Sequence, residues 1–151
     1  MADSVAVHTT TVLPADTNAY GNLFGGHLVA LIDMTASITA SRHARRNVVT
    51  ASIDRVDFIQ PVRLGDMLTV TARLNYAGRS SMEIGVDVIA ENRVTGERTR
   101  ACDARLTFVA IDEGGHPASV PRLRLETDEE RERFEAAKAR ALARRSGAPA
   151  A

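Results

Sequence analysis

The 151-residue chain is long enough for one domain with a substantial core and too short for two ordinary ones. Its 19 basic and 19 acidic residues cancel, so net charge gives no case for nucleic acid or a membrane surface, and the expected partner is a small molecule or another protein. A single cysteine, Cys102, excludes an internal disulfide framework; together with a start, Met1-Ala-Asp-Ser, that lacks a signal-peptide pattern, it leads us to expect a reducing, cytoplasmic setting.

Val5 to Leu13 alternates Val5, Val7, Thr9, Thr11 and Leu13 against smaller or polar partners, the period of a half-buried strand, and Pro14 ends it. Asp16 to Asn22 collects turn residues. From Phe24 to Arg45 the pattern is helical and apolar around almost the whole circumference, which predicts a buried helix; Arg42, His43, Arg45 and Arg46 place cations where the helix dipole favours them. The apolar run Leu28 to Ala40 is well short of the roughly 20 residues of a membrane span.

Beyond Asn47 the pattern becomes β. Val48 to Ile59 stops at Gln60-Pro61; Met67 to Tyr76 directs Leu68, Val70, Ala72 and Leu74 inward; Ser80 to Glu91 directs Met82, Ile84, Val86, Val88 and Ala90 inward; Arg98 to Ile111 is the last long strand. The expectation is one strand, one buried helix, then four strands in an antiparallel meander. Pro117 to Pro121 reads as a linker, and Thr127 to Arg145 as a charged, Ala-rich helix that opens with capping-box spacing and lies on the surface or against a neighbouring subunit. Ser146 to Ala151 is expected to be disordered.

A helix apolar all round needs more cover than one curved sheet supplies. A second copy related by a two-fold axis, with two sheets joined and two helices meeting, is the economical solution. That architecture is the hotdog fold: α+β, a five-stranded antiparallel sheet wrapped around one long central helix, with a C-terminal surface helix added here.

Chemistry concentrates in Asn18 to Asp33. Gly25-Gly26 falls at the helix N-terminus, where unpartnered N–H groups suit a carbonyl oxygen that becomes negative; equally, Gly-Gly can serve only the turn. Asp33 is a lone acid in an apolar helix, so it is either paired or reactive. It lies seven residues beyond Gly26, on the same face and about 10 Å away along the axis. One reacting carbon cannot touch both in one chain. In a dimer with antiparallel helices, Asp33 of one copy returns towards Gly26 and Asn18 of the other. Asn18 reads as a turn residue or as a neutral partner for a water or carbonyl.

His8, His27, His43 and His116 show no spacing of a metal site or triad, although His27 stands closest to the glycines. Cys102 reads as buried and unreactive. Gly78-Arg79-Ser80-Ser81-Met82 offers a cation and two hydroxyls to a phosphate or pantetheine amide, or is an ordinary hairpin turn. Phe58 to Asp66 reads as architectural.

The ordered series Pro14, Asp16, Asn18, Gly21, Gly25-Gly26, Asp33, then Val49-Thr50, Phe58, Pro61-Val62, Gly65-Asp66, Gly78-Arg79, Ser81-Met82, Thr107-Phe108-Val109-Ala110 and Val120-Pro121 resembles the acyl-CoA hydrolase family of hotdog thioesterases. It is most similar to the short YciA-type bacterial members and to each half of the tandem cytosolic acyl-CoA hydrolases. The resemblance implies residues 1–121 as the thioesterase domain and 122–151 as an appended charged helix and tail. It implies hydrolysis of acyl-CoA to free acid and CoA, with Asp33 as general base or nucleophile, Asn18 supplied by the partner subunit, and the Gly25-Gly26 amides holding the thioester oxygen. CoA contacts at Arg79, Ser80 and Ser81 are also implied, with no metal and no cofactor beyond the CoA of the substrate. Homodimers at least, and hexamers as trimers of dimers, are implied as well. Phe24 stands where some relatives carry His. A hotdog dehydratase or hydratase and a non-catalytic acyl-CoA sensor are the alternatives; the first needs a His at the site, and the second usually carries a DNA-binding segment.

Overall fold

The computed structural model describes residues 4–147. Strand β1 (Val5–Thr11) leads through a short 3-10 turn (Pro14–Asp16) to helix α1 (Gly25–Ala44). Strands β2 (Asn47–Phe58), β3 (Met67–Ala77), β4 (Ser81–Glu91) and β5 (Arg98–Ile111) follow, and helix α2 (Asp128–Arg145) closes the chain. All strand pairs are antiparallel, in the order β1-β3-β4-β5-β2.

The meander therefore holds three strands, β3-β4-β5, and the four-strand expectation is corrected: β2 pairs with β5 at the far edge of the sheet. The cause is the segment 59–66, too long for a tight hairpin. It is pinned instead to the loop before α1 by the Asn22–Arg63 bridge, the Leu23 N–H to Val62 C=O bond of 2.7 Å and the Leu64 N–H to Gly21 C=O bond of 3.0 Å.

Leu68, Val70, Ala72, Leu74, Met82, Ile84, Val86, Val88 and Ala90 are buried, as their alternation predicts. β1 has the opposite phase: Ala6 and the following Val12 face the core, while Val7 and Leu13 are exposed. Helix α1 sits on the sheet through one stripe, Leu28, Ile32, Thr35, Ala36, Thr39, Ala40 and Ala44. Its alanines let the helix approach closely, and Thr39 Oγ1 donates to the Ala72 carbonyl at 3.2 Å.

Helix α2 starts at a complete capping box: the Glu130 N–H donates to Thr127 Oγ1, and Glu130 Oε2 accepts the Thr127 N–H. It packs on the outer face of its own sheet. Arg140 forks onto Glu83 at 2.8 and 3.1 Å, with the Glu83 side chain 5% exposed, and Phe134 meets Tyr76 at a ring separation of 5.2 Å. The stretch 117–121 is tied down by the bonds from Ala118 N–H to the Ala110 carbonyl and Val120 N–H to the Arg79 carbonyl. Ser146 and Gly147 form a turn, and the rest of the expected disordered tail, 148–151, lies outside the described residues. Among the described residues, no helix is long and apolar enough to cross a membrane.

Candidate active site

Helix α1 begins at Gly25 with Phe24 as its N-cap, and no side chain caps it. The first amide with a helical acceptor is that of Leu28, 3.1 Å from the Phe24 carbonyl, so the N–H groups of Gly25, Gly26 and His27 precede the hydrogen-bond ladder. A Cβ at Gly26 would lie 2.7 Å from the Phe24 ring, and one at Gly25 would lie 3.7 Å from the Phe58 ring. Gly26 thus lets the Phe24 ring fold against the helix terminus, whereas at Gly25 the Phe58 ring would be in ordinary contact with a Cβ. A cleft of about 240 Å³ opens beside it, walled by Leu23, Leu28, Phe58, Ile59 and Val62. Phe58, read as architectural from sequence, belongs to the surroundings of the glycines.

Asp33 is half-buried two turns along α1. Thr50 Oγ1, on edge strand β2, donates to its Oδ1 at 2.8 Å. A charge-assisted bond of this kind fixes the carboxylate's orientation, and Oδ2 has no protein partner among the described residues. Sequence reasoning missed Thr50 as a functional residue. The Val49-Thr50 pair was visible, but threonine in a strand is ordinary, and only the packing of α1 on β2 brings it to Asp33.

Asn18 is held by its own loop. Its Oδ1 accepts the amides of Tyr20 at 2.9 Å and Asn22 at 3.2 Å, so the Nδ2 hydrogens are the atoms it can offer outward. Asp16 anchors the same loop through the Leu13 N–H to Oδ2 bond at 2.9 Å and the Phe24 N–H to carbonyl bond at 2.8 Å, and its Oδ1 lies 3.3 Å from His27 Nε2. His27 therefore ties the Asn18 loop to the first turn of α1.

The turn Gly78 to Ser81 is closed by the Gly78 N–H to Ser81 C=O bond at 2.8 Å, with Arg79 exposed and both serines half-buried. It lies near the other end of α1, where His43 Nε2 donates to the Pro121 carbonyl at 2.7 Å beside the Val120–Arg79 contact. His43 is about 25 Å along the helix from Gly26 at 1.5 Å per residue. A single chain therefore groups Asp33 with Thr50 and ties the Asn18 loop to the helix start through Asp16, but separates Arg79, Ser80 and Ser81 from the glycines.

Cys102 is fully buried in β5, and burial, then Asp103 and Asp57, push its thiol up to about 11. No group of three or more His, Cys, Asp or Glu side chains is arranged to hold a metal among the described residues.

The face of α1 turned away from the sheet leaves Met34 at 57% and Ile38 at 43% exposure. Alongside, the edge strand β2 exposes Val49, Ile53 and Phe58. A twelve-residue edge strand with apolar side chains and unpaired backbone groups is a surface that folded proteins cover.

Residues 20–97 match the thioesterase superfamily. The chain is 48% identical over 128 residues to an uncharacterized acyl-CoA thioester hydrolase, YkhA, of Bacillus subtilis, covering 85% of this chain and 74% of that one. A solved apo-hexameric acyl-CoA thioesterase superposes with a TM-score of 0.91 at 44% identity, covering 96% of this chain and 93% of that one. An acyl-CoA hydrolase of Staphylococcus aureus, solved with butyryl-CoA and CoA, superposes with a TM-score of 0.88 at 40% identity, covering 97% and 89%. That enzyme has also been solved as alanine variants of an asparagine, an aspartate and a threonine, separated by 15 and 17 residues, the spacing of Asn18, Asp33 and Thr50 here. The chain belongs to the thioesterase superfamily, among its hotdog-fold acyl-CoA thioester hydrolases.

Proposed function

We propose that the protein hydrolyses acyl-CoA thioesters to free acid and CoA in a site completed by two copies of the chain. The observation that carries this reading is the Thr50-oriented Asp33 carboxylate, facing an open flank of α1, together with an uncapped Gly25-Gly26 terminus about 10 Å away in the same chain. Antiparallel pairing of two α1 helices, with β2 strands meeting edge to edge, covers Met34, Ile38, Val49 and Ile53 and brings Asp33 to the partner's helix terminus and its Asn18 loop. The same pairing moves the Arg79 to Ser81 turn of one copy towards the N-terminal end of the other copy's α1.

In this site Asp33 Oδ2 accepts a proton from water, and Asn18 Nδ2 donates to that water or to the thioester. Hydroxide adds to the thioester carbon, and the C=O pair moves onto oxygen, where the Gly25 and Gly26 amides stabilise it. Collapse breaks the C–S bond, the CoA thiolate departs with the electron pair, and the proton held by Asp33 returns to it. A thiolate leaves readily, so no strong general acid is needed. Arg79, Ser80 and Ser81 are assigned to the CoA moiety. The apolar cleft beside Gly25 suits an acyl chain. A higher assembly built from dimers follows the hexameric relative.

Thiol release from a panel of acyl-CoAs tests the reading. Turnover by the wild type that is lost in Asp33→Asn supports it; tight binding without release selects an acyl-CoA sensor instead. The hydratase alternative needs a catalytic His, and His27, the nearest, is paired with Asp16.

A further inference from the structure

On the outer face of the sheet, away from α1, one register row runs Arg73–Gly85–Arg105–Arg55 across four strands. The next row on the same face, about 7 Å along the strands, runs Asp87–Asp103–Asp57. Like charges directly opposite one another destabilise a sheet unless something compensates them. The aspartates are compensated from within. Asp57 pairs with Arg55 at 2.6 Å, Asp103 with Arg100 at 2.6 Å, and Asp87 with Arg73 and Arg100 at 3.3 and 3.4 Å.

Two cations remain over. Arg105 has no ion pair among the described residues, and Arg133, which lines the same cavity from α2, feels Glu130 of its own helix but forms no ion pair with it or any other described residue. The cavity they line measures about 400 Å³ and is ringed by five arginines and three aspartates.

Its wall holds a second, independent feature. Asn75 is the residue skipped where the β3–β4 register shifts between Leu74 and Tyr76, a bulge that leaves it without a directly opposite partner on the outer face it shares with Arg73. The carboxamide lies against Gly85, where a Cβ would stand 2.7 Å from its Nδ2. Asn75 is only 8% exposed, yet its carboxamide has no hydrogen-bond partner among the described residues. Among the described residues no buried side-chain nitrogen or oxygen is sealed off without a partner, so the polar atoms of Asn75 open onto the cavity they line.

We propose that this cavity binds a phosphoryl group, with Arg105 and Arg133 as its cationic clamp and the Asn75 carboxamide as a neutral donor. Guanidinium forks match phosphate oxygens in geometry, and the aspartates are already engaged by other arginines. The site is separate from the catalytic one, because the sheet lies between this cavity and Asp33. Two sources supply the same chemistry: a free nucleotide, or the phosphates of CoA.

Titration calorimetry of the full chain with ADP and with pyrophosphate tests the proposal. The wild type should bind with a stoichiometry near one per chain. Arg105→Gln, Arg133→Gln and Asn75→Ala should each weaken binding about tenfold or more, the loss of one strong hydrogen-bonding partner. Arg133 stands on an exposed helix surface, so its variant keeps the test valid if the other two fold poorly. Titrating CoA into the wild type and Arg133→Gln separates the sources: a CoA affinity that falls with Arg133→Gln assigns the cavity to the phosphates of CoA, and one that stays as in the wild type assigns it to a free nucleotide. Absence of ADP and pyrophosphate binding at millimolar concentration, or binding unaltered by Arg133→Gln, would overturn the proposal. So would an Arg105→Gln protein that changes its assembly state while binding ADP as before, since the surface would then be a contact between copies.

Discussion

Replacing Thr50 by valine keeps the side-chain shape and β-branching but removes the hydroxyl that donates to Asp33 Oδ1 at 2.8 Å. A hydrogen bond to a charged group contributes about 1.5–3 kcal/mol. If that bond holds the carboxylate in its reactive orientation, its loss raises the barrier by the same amount and lowers kcat about 10- to 150-fold. Thr50 touches neither the glycines nor the Arg79 turn, so KM should stay within about twofold. Thr50→Ser restores the donor and should stay within a few-fold of wild type. Steady-state thiol release with a short-chain acyl-CoA gives both constants, and circular dichroism confirms that the variant is folded. A Thr50→Val protein with wild-type kcat, or one that loses affinity alone, would refute the view that this bond orients the catalytic group.

Other outcomes follow from the same structure. Asn18→Asp keeps the Oδ1 that binds the Tyr20 and Asn22 amides but removes the Nδ2 donor; it should fold normally and lose turnover by about 100-fold or more, read by thiol release. The Cys102 thiol, raised to about 11, should stay unreactive to a disulfide reagent at pH 8 until denaturant is added. Because its folded value lies above the unfolded thiol's, its contribution to stability is complete below about pH 8.5 and declines as pH rises towards 11, which denaturant midpoints across that range would register. Arg140→Ala leaves the buried Glu83 carboxylate without its guanidinium partner and should cost about 3–5 kcal/mol in urea unfolding, with α2 detaching first.

Much of this was legible in the sequence, and what was not has physical reasons. β3 and β4 bury one face against α1, so alternation marked both their extent and their inward residues, while β5, with adjacent buried pairs, was marked in extent alone. β2 has no such phase: its outer flank is polar, its other flank exposes Val49 and Ile53, and its pairing with β5 depends on where segment 59–66 is anchored. β1 was read in the wrong phase because Val7 and Leu13 look like core residues, whereas the smaller Ala6 and Val12 face inward at this edge. Within the site, Gly25, Gly26 and Asp33 stood out because glycines at a helix start and an acid in an apolar run break local rules. Thr50 and Phe58 break none, and tertiary packing alone gives them their places. Asn75 was invisible for a similar reason, since a bulge is a property of two strands in register.

The most direct test of the central claim, a site shared between copies, is subunit mixing. Asp33→Asn and Asn18→Ala each disable one half of every site, so each variant alone should be nearly inactive. When the two are unfolded together and refolded, half of the dimers should be mixed, and in each mixed dimer one of the two sites recovers both native residues. The predicted result is recovery to about a quarter of wild-type thiol-release activity. If Asp33 and Asn18 act within one chain, every site in the mixture keeps a defect, and activity no greater than that of the separate variants would contradict the account.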